Sequence, residues 1–451
     1  MSALATILLG RGAAIAGSDR SESETSQRLR ILGARVEIGH RRENVGDVDL
    51  VVTTDALAPD NPEVLAAQER GIPLIQGSEM LGRLMAEFKH RIGIAGTHGK
   101  TSTTSMTSLV LMEAGLDPTI VIGGDVEALG GNSRLGAGDV FLTEACEAFS
   151  SFLHLHPSVA VITNIDADHM EHFKTLDNVK QTFARFLSQV DKNGCVIACI
   201  DDEFGGVSLV RDGLSPAGVR LLTYGQSAEA RLRAIDIDIK SPAASFDVLL
   251  DGKPLGRISL AVAGMHNVRN ALAATAVGLE HGADFKTIHN ALAKHKGAGR
   301  RFELLGEVAG IMVVDDYAHH PTEILATITA ARSGWRRRLI VVFQPHLYTR
   351  TLTHLKEFAS ALSLADQVIV TDIYAAREEP IPGVSAEAVA LMINQSGGAA
   401  EYIADKDTVA GRLLPDLREN DMVIVMGAGD IRPTGEALVD LLKAWAEVAT
   451  R

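Results

Sequence analysis

Short, continuous apolar runs alternate with helix-like stretches along the whole chain. Runs of Val, Ile and Leu without intervening polar positions are typical of parallel strands that are buried on both faces of a sheet. Such strands need crossover connections, which the helix-like stretches supply. The pattern therefore predicts an α/β fold. The predicted strands are Ala13–Ser18, Asp49–Thr53, Ile92–Ala95, Val140–Thr143, Val159–Thr163, Cys195–Ile200, Ile311–Val314, Leu339–Phe343, Gln367–Thr371 and Met422–Met426.

Two segments depart from this alternation. The first residues, Met1 to Leu9, are apolar, lack a cationic start and are followed by Gly10-Arg11-Gly12, which predicts a folded helix rather than a secretion signal. Between about Ala228 and Leu260, apolar and polar residues alternate singly. That period of two predicts antiparallel strands added to the central part of the fold.

The length of 451 residues predicts about three domains. Charged residues at Glu87–Arg91 mark one candidate boundary, and the basic, glycine-bearing segment Lys294–Arg301 reads as a linker. We therefore expect domains over residues 1–90, 91–297 and 298–451.

A glycine loop joins a predicted strand to a predicted helix at Gly96-Thr97-His98-Gly99-Lys100-Thr101-Ser102. The order strand, loop, helix is that of a phosphate-binding loop. Glycines let backbone N–H groups surround a polyphosphate, a lysine adds charge, and a Ser or Thr hydroxyl ligates Mg²⁺. The loop is shorter than the commonest form, because Ile94 stands where that form has its first glycine. The loop predicts a nucleoside triphosphate site; an incidental lysine in a tight turn is the alternative.

Composition narrows the classes of partner. The net charge of −14 argues against a general nucleic-acid or anionic-membrane surface, so local cations or Mg²⁺ must hold a polyanionic ligand. Apolar runs fall short of the roughly 18 residues that a membrane span needs. The cysteines Cys146, Cys195 and Cys199 lack a ligand-like spacing and are expected to be small buried apolar residues in a reducing compartment.

Two acidic turns in the central region offer metal ligands. Glu144 follows a predicted strand, at the edge where open α/β sheets bind ligands, and is a candidate Mg²⁺ ligand or a helix-start carboxylate. The turn Asn164–His172 follows another strand, and His169 is its candidate metal or phosphate-site residue. A polar loop capped by Asp168 is the alternative, and His172 is expected to be a solvated helix residue.

Amides and arginines follow further along the chain. A predicted helix opening at His266 carries Asn267 and Asn270 on one face, where their amides suit an adenine edge or a ribose. Asn267 as a helix cap is the alternative, which leaves Asn270 unexplained. Arg300 and Arg301 lie in the predicted linker, and an arginine on a mobile domain can stabilise a transferring phosphoryl group. Spacing alone favours a surface basic patch for them.

Two dense polar turns follow strands near the carboxyl end of the chain. Asp315–Glu323 combines two acids, an aromatic residue and two histidines, and it ends at a helix start led by proline. Phe343–Thr351 is positively charged and suits a carboxylate. Gly427-Ala428-Gly429 is a weak phosphate pattern, which we interpret as a tight turn. The first two turns are hard to explain by solubility alone.

These segments occur in the order and spacing of the Mur ligases, the ATP-dependent amide-forming enzymes of peptidoglycan precursor synthesis, and the resemblance runs from Met1 to about Asp430. Within the family, the polar turns look like those of the branch that joins L-alanine to UDP-N-acetylmuramate. The matching segments are Gly96–Thr101, Glu144, Asn164–His169, His266–Asn270, Arg300–Phe302, Asp315–Glu323 and Phe343–Arg350.

The resemblance implies a three-domain architecture and a reaction. The implied domains are a Rossmann-like domain for the UDP-sugar, a central P-loop-type ATPase domain and a C-terminal Rossmann-like domain. In the implied reaction, the muramate carboxylate attacks the γ-phosphate of ATP, and the acyl phosphate then reacts with the amine of L-alanine. ADP and phosphate are released.

The resemblance also implies roles for the candidate residues. Lys100 and Thr101 meet the phosphates and Mg²⁺. Glu144 and His169 belong to the metal or phosphate site, and Arg301 meets the phosphates after domain closure. The residues implied to bind the nucleotide, or to face ATP and the amino acid, are Asn267, Asn270, Asp316, Tyr317, His319, His346 and, on the alanine carboxylate, Arg350.

Two departures from the family pattern change these expectations. Leu347 stands where many members carry an arginine, so one cationic contact to the amino acid is expected to be absent or supplied elsewhere. The family usually begins with a strand and a glycine loop that ends in Met-Ser, whereas this chain starts at Met1-Ser2. The first domain is therefore expected to be incomplete, through a late start or as a fragment with impaired sugar-nucleotide binding.

Two other functions remain open at this point. One is a sister ligase that attaches a tripeptide to the same muramate, which needs a roomier amino-acid site. The other is a nucleotide-binding protein that no longer ligates, which predicts ATP binding without UDP-sugar binding. For the ligase, we expect a cytoplasmic monomer or homodimer that acts on small molecules, without nucleic acid or membrane insertion.

Overall fold

The computed structural model describes residues 1–54, 60–202, 206–212, 216, 218–240 and 242–449. The chain divides into two compact units. The first unit comprises Met1–Ile235, Asp247–Ile258 and Arg269–His295. The second unit comprises Asp236–Phe246, Ser259–Val268 and Lys296–Arg451.

Local sequence sets where several helices begin. The Ser23 side chain accepts a hydrogen bond from the backbone of Ser26, and Asp284 accepts one from Thr287, so each satisfies a free N–H of a first turn. The helices, in chain order, are α1 (Ser2–Gly10), α2 (Glu24–Ile31), α3 (Pro62–Glu69), α4 (Gly77–Met85), α5 (Lys100–Glu113), α6 (Met170–Phe173), α7 (Leu176–Leu187), α8 (Gly206–Arg211), α9 (Met265–Glu280), α10 (Phe285–Ala293), α11 (Pro321–Gly334), α12 (Tyr348–Thr353), α13 (Leu355–Leu362), α14 (Ala386–Gln395), α15 (Lys406–Leu413) and α16 (Arg432–Ala449).

All ten predicted strand positions coincide with a strand, although the first begins three residues later than expected. The helix predicted at the start of the chain is also confirmed as α1. The strands are β1 (Ala16–Asp19), β2 (Arg35–Ile38), β3 (Val51–Thr53), β4 (Leu74–Gln76), β5 (His90–Ala95), β6 (Thr119–Val126), β7 (Gly131–Arg134), β8 (Val140–Ala145), β9 (Val159–Ile162), β10 (Cys195–Cys199), β11 (Arg220–Gly225), β12 (Leu232–Lys240), β13 (Ala243–Leu250), β14 (Lys253–Leu260), β15 (Glu303–Val308), β16 (Ile311–Asp316), β17 (Arg338–Phe343), β18 (Gln367–Val370), β19 (Ala400–Tyr402) and β20 (Asp421–Met426).

The largest sheet has ten strands in the order β14-β13-β12-β11-β10-β9-β5-β8-β6-β7. Its centre is parallel, with β5 between β9 and β8, and Ile92 and Ile94 of β5 are fully buried, as the continuous apolar run predicts. Strands β12, β13 and β14 are neighbours joined by two-residue connections, which only antiparallel pairing allows. This agrees with the alternation seen between Ala228 and Leu260.

A six-stranded sheet in the second unit has the order β15-β16-β20-β17-β18-β19. It is parallel apart from β15, which runs antiparallel to β16. Strands β16, β17 and β20 are buried along almost their whole length. Because β20 pairs in parallel with both β16 and β17, the carboxyl ends of the three strands meet at one edge of the sheet. Ligands of open α/β sheets bind at such an edge.

The first 90 residues contain two separate two-stranded parallel sheets, β1–β2 and β3–β4. Helix α1 contributes Leu4 and Ile7 to the hydrophobic core that also holds Phe141 and Phe186. Among the helices that the structure describes, none combines the length and the apolar character that crossing a bilayer would require.

Candidate functional site

The glycine loop adopts a conformation that requires its glycines. Gly96 has φ +135°, and a Cβ there would lie 1.9 Å from Thr163 Oγ1. Gly99 has φ +83° and stands at the N-terminus of α5 without a side-chain cap. Because no side chain caps this helix start, its first N–H groups and the positive end of its dipole face the loop. The arrangement suits a phosphate.

Hydrogen bonds join the loop to the turn that follows β9. The backbone N–H of His98 donates to Asn164 Oδ1 at 2.8 Å, and Asn164 Nδ2 donates to the His98 carbonyl at 3.0 Å. Thr163 Oγ1 donates to the same carbonyl at 2.7 Å, and Thr97 N donates to the Asn164 carbonyl at 3.0 Å. Sequence reasoning did not select Asn164, although its place directly after the neighbouring strand was the available clue.

Lys100 is held by acceptors on three sides. Its Nζ donates to the carbonyls of Gly96 at 2.6 Å and Thr97 at 2.9 Å. It also contacts both carboxylate oxygens of Glu147, at 3.1 and 2.9 Å. Burial lowers the pKa of Lys100 and is the largest single influence on it, but Glu147, Cys146 and Glu144 together outweigh burial, so the pKa is raised above its ordinary value. Sequence reasoning missed Glu147: of the two glutamates that follow the predicted strand, it selected Glu144, which lies three residues earlier.

Thr101 and Glu144 are brought against the same pair of glycines. A Cβ on Gly124 would lie 3.2 Å from Thr101 Cγ2, and one on Gly123 would lie 2.9 Å from Glu144 Oε2. The Gly123 N–H donates to Glu144 Oε1 at 2.7 Å. Glu144 lies inside β8 rather than beyond its end, so its interpretation as a helix-start carboxylate is wrong.

His169 lies among the acids of its own turn. Its φ is +54° at the N-terminus of α6, and its ring Nδ1 is 3.5 Å from Glu171 Oε1, with Nε2 4.0 Å from Asp168 Oδ2. His98, by contrast, reaches from the glycine loop to Asp166, with Nε2 3.0 Å from Oδ2. His172 is exposed, as predicted.

The two asparagines of α9 fall in different units. Asn270, in the first unit, is 6% exposed and accepts a hydrogen bond from Thr103 Oγ1 at 3.2 Å. A Cβ on Gly99 would lie 2.8 Å from Asn270 Oδ1, so this amide abuts the glycine loop. Asn267, in the second unit, donates to the Ala263 carbonyl at 2.7 Å. Because α9 begins at Met265, Asn267 is inside the helix and is not its cap.

Arg300 is not part of a surface patch. Its Nε lies 3.2 Å from the carboxylate of Asp315, and its Nη2 donates to the Gly427 carbonyl at 2.7 Å. Its guanidinium stacks on the ring of Tyr317 at 4.8 Å. The patch interpretation is therefore wrong for Arg300. Arg301 lies over the same ring at 5.1 Å, with Glu323 at 4.0 Å, and 31% of its side chain is exposed.

Two buried aspartates end β16. Asp315 is fully buried and contacts Arg300 and Arg432, yet burial raises the pKa of its carboxyl. Asp316 accepts hydrogen bonds from the N–H groups of Phe302 and Ala318, each at 2.8 Å, and burial raises its pKa to about 6. Arg432 opens α16 and was not selected from the sequence.

Four predicted residues of the second unit form one cluster. The His319 ring makes edge contacts with Tyr317 at 5.3 Å and with His346 at 5.8 Å. Arg350 Nη1 is 3.2 Å from His346 Nδ1, and Arg350 is 5% exposed. Both histidines and Arg350 thus converge from two turns that follow β16 and β17. Leu347, next in the chain to His346, is buried at 3% exposure and has φ +70°.

A cleft of about 430 Å³ adjoins this cluster. Its wall includes Tyr374, whose ring stacks on His346 at 5.7 Å, together with Gln344 and Lys406. The segment Gly427–Gly429 forms a bend, as predicted, and a Cβ on Gly429 would lie 2.3 Å from Gln344 Oε1. The cleft lies past the carboxyl ends of the second unit's strands, where small molecules bind in open sheets.

The cysteines do not pair with one another. All three are free thiols, and Cys195 and Cys199 are buried in β10, where burial raises the pKa of each to about 11. Cys146 is exposed, so the expectation that all three are buried is wrong for this residue.

Three family models match the chain in succession. The model described as "Mur ligase family, catalytic domain" matches residues 1–89. "Mur ligase middle domain" matches residues 94–278, and "Mur ligase, glutamate ligase domain" matches residues 300–429. The matched regions together take in the glycine loop and the cluster around His346.

Individual proteins resemble the chain over nearly its full length. A UDP-N-acetylmuramate–L-alanine ligase from Geotalea uraniireducens is 47% identical over 444 residues, covering 98% of this chain and 96% of the relative. One of the same name from Trichlorobacter lovleyi is 47% identical over 445 residues, with the same coverage. The crystal structure of a UDP-N-acetylmuramate-alanine ligase from Thermotoga maritima is 28% identical, with a TM-score of 0.84 and coverage of 98% and 96%.

Proposed function

The chain belongs to the Mur ligase family, and on that premise we propose that it joins L-alanine to the carboxylate of UDP-N-acetylmuramate in an ATP-dependent reaction of peptidoglycan precursor synthesis. Identity of 47% over nearly the whole chain supports this choice of branch. The matched regions cover the loop for the nucleotide and the cluster for the amino acid, so both halves of the proposed reaction have residues assigned to them.

The observation that carries the proposal is the glycine loop at the start of α5. Its backbone is preformed, its helix start has no side-chain cap, and Lys100 lies at the first position of that helix. Uncapped N–H groups and a lysine at a helix start are the elements that bind a polyphosphate. Asn270 abuts the loop through Gly99, which supports its assignment to the nucleotide.

The chemistry explains why these cations are needed. A carboxylate is a poor acyl donor until it is phosphorylated, so the muramate carboxylate attacks the γ-phosphorus of ATP and ADP leaves. The amine of L-alanine then attacks the acyl carbon, and phosphate leaves from the tetrahedral intermediate. Both reactants of the first step are anionic, and we assign Lys100 and Arg301 to neutralise the charge on the transferring phosphoryl group.

We assign Thr101 and Glu144 to Mg²⁺. Hydroxyl and carboxylate oxygens are the donors that this ion prefers, and both side chains lie against the Gly123–Gly124 pair. His169 fits less well, because an imidazole nitrogen is a softer donor and its ring lies beside Glu171. When bound, the ion would supply positive charge to the phosphates.

The cluster of the second unit is assigned to ATP and the amino acid. Arg350 is the candidate for the alanine carboxylate, because a guanidinium binds a carboxylate with two parallel hydrogen bonds. Its contact with His346 fixes its position. Leu347 is uncharged, whereas many family members carry arginine at this position. We therefore assign the contact with the alanine carboxylate to Arg350 alone. Asp316, Tyr317 and His319 are assigned to the same surface.

The cellular setting is also proposed. Free thiols in the interior of a strand fit a reducing compartment. We propose a cytoplasmic enzyme, active as a monomer or homodimer.

The test is phosphate release from ATP and Mg²⁺ by the purified chain. Release is expected only when UDP-N-acetylmuramate and L-alanine are present together, and mass spectrometry should find the alanyl product. Lys294→Ala is the matched control for Lys100→Ala, because Lys294 pairs with Glu113 at the far end of α5. Release with a tripeptide but not with L-alanine would favour the sister ligase. ATP binding without release would favour the non-ligating alternative.

A further inference from the structure

Glu147 has no assigned part in the proposed reaction, yet it forms an ion pair with Lys100. Its side chain is 2% exposed, and both of its carboxylate oxygens lie within 3.1 Å of Lys100 Nζ. Glu147 stands immediately before the short 3₁₀-helix Ala148–His154, on a different segment from the glycine loop. The lysine and its carboxylate partner are therefore carried by separate elements.

The contacts of Lys100 leave no donor for a phosphate. An ammonium group has three N–H donors, and here they face the Gly96 and Thr97 carbonyls and the Glu147 carboxylate. The two carbonyls belong to the loop, whose backbone is fixed by its bonds to Asn164. Among these acceptors, the Glu147 side chain is the one that can move aside by side-chain rotation alone.

Charge repulsion also singles out Glu147 as the acceptor that a phosphate would displace. Two acceptors on one ammonium nitrogen lie roughly 5 Å apart, so a β- or γ-phosphate on Lys100 would have the buried Glu147 carboxylate as its neighbour. Two such anions at that distance repel each other by several times the thermal energy at the effective dielectric of a protein site. The carbonyls carry no net charge and do not oppose the phosphate in this way.

We infer that Glu147 is a placeholder for the terminal phosphates of the nucleotide: its carboxylate neutralises Lys100 before a nucleotide binds and is displaced by a di- or triphosphate. It is a positioning residue that keeps the lysine at the mouth of the loop, and it opposes nucleotide affinity. The inference rests on the proposed function, since it requires that the loop bind ATP.

The experiment measures the dissociation constants of ATP, ADP and AMP by calorimetry for the full chain and for Glu147→Gln. Glutamine keeps the shape and a hydrogen-bond acceptor for Lys100 but removes the charge. We expect ATP and ADP to bind about tenfold more tightly or better to the variant, and AMP to bind unchanged, because its single phosphate does not reach the lysine. A general change in the fold would alter all three nucleotides alike.

Glu113→Gln is the matched control, because Glu113 pairs with Lys294 at 2.7 Å on the far end of the same helix. It should leave all three dissociation constants unchanged. Glu147→Ala tests the same idea without an amide, if the glutamine variant does not fold. Unchanged or weaker ATP binding in the Glu147 variants, or equal tightening for AMP, would overturn the placeholder role alone. Failure of the unaltered chain to bind ATP would overturn the proposed function as well.

Discussion

Replacing either of two adjacent arginines should affect a different property of the protein, stability for one and activity for the other. Arg300 and Arg301 both stack on Tyr317, but their other contacts differ. Arg300 joins the buried Asp315 to the bend after β20, whereas Arg301 has one ion pair at 4.0 Å with Glu323. Methionine at either position keeps much of the apolar stem and removes the charge. We expect Arg300→Met to lose stability and Arg301→Met to lose activity.

The expected losses of unfolding free energy for the two variants follow from the contacts of each arginine. The bond from Arg300 to the Gly427 carbonyl is worth about 1.5–3 kcal/mol as a charged hydrogen bond. Leaving a buried carboxylate unpaired costs about 3–5 kcal/mol, but Asp315 keeps Arg432 at 3.0 Å, so we take about 1 kcal/mol for this part. The total for Arg300→Met is about 3 kcal/mol. For Arg301→Met we expect less than about 1 kcal/mol, because its ion pair is long and partly exposed.

The chain offers a selective probe for this measurement. It has two tryptophans, Trp335 and Trp445, and both lie in the second unit. Trp335 also stacks on Phe302, two residues beyond Arg300. Urea unfolding followed by tryptophan fluorescence therefore reports on the unit that holds both arginines, and phosphate release on the same samples reports on activity.

A double-mutant cycle tests the assigned cause. In an Asp315→Asn background the carboxylate that Arg300 neutralises is gone, so Arg300→Met should cost about 1 kcal/mol less than it does in the unaltered chain. Equal unfolding free energies for the two single arginine variants would refute the reasoning. So would an Arg300 cost that is unchanged by Asp315→Asn, since the buried ion pair would then contribute nothing.

Three further outcomes are expected. Lys100→Ala should abolish turnover while Lys294→Ala does not, and normal turnover in the former would exclude the phosphate role. Burial raises the pKa of Asp316 from 3.8 to about 6, so its contribution to stability is complete below about pH 4 and is lost as the pH rises through 6, by about 3 kcal/mol at pH 8. Asp316→Asn should remove that slope from urea unfolding, and an unchanged slope would contradict the assignment. Arg350→Ala should raise the KM for L-alanine at least about tenfold with a smaller effect on kcat, and an unchanged alanine dependence would refute its carboxylate role.

Most of the strands that the sequence predicted are those whose burial leaves a continuous apolar run, whereas β1 is largely exposed and has no such run. Strands β5, β16 and β20 are covered on both faces, so side-chain chemistry alone identifies them. The strands that were missed carry other patterns. β2 is Arg-Val-Glu-Ile with alternating exposure, and β6 contains Gly123 and Gly124, which weaken strand propensity. Their pairing depends on neighbours that are distant in sequence.

The candidate site divides in the same way. The glycine loop could be predicted, because its glycines, lysine and hydroxyl residues lie in one contiguous segment. For Asn164 the sequence indicated the turn but not its contacts with the loop, and for Glu147 it did not indicate the pairing with Lys100, because only the folded sheet brings these segments together. Arg432 lies 117 residues from its partner Asp315. Long-range pairs of this kind leave no local pattern in the sequence. The sequence therefore indicates which residues can do chemistry, but not which residues they contact.

The bonds between the glycine loop and the turn after β9 also bear on the thermodynamics of nucleotide binding. Ordering a flexible loop costs conformational entropy, about 1–2 kcal/mol for each residue fixed. Here Asn164 and Thr163 fix the loop backbone as part of folding, so an arriving nucleotide meets a cradle that is already ordered. The association is then governed by desolvation and charge rather than by loop closure, and more of the contact energy remains available as affinity.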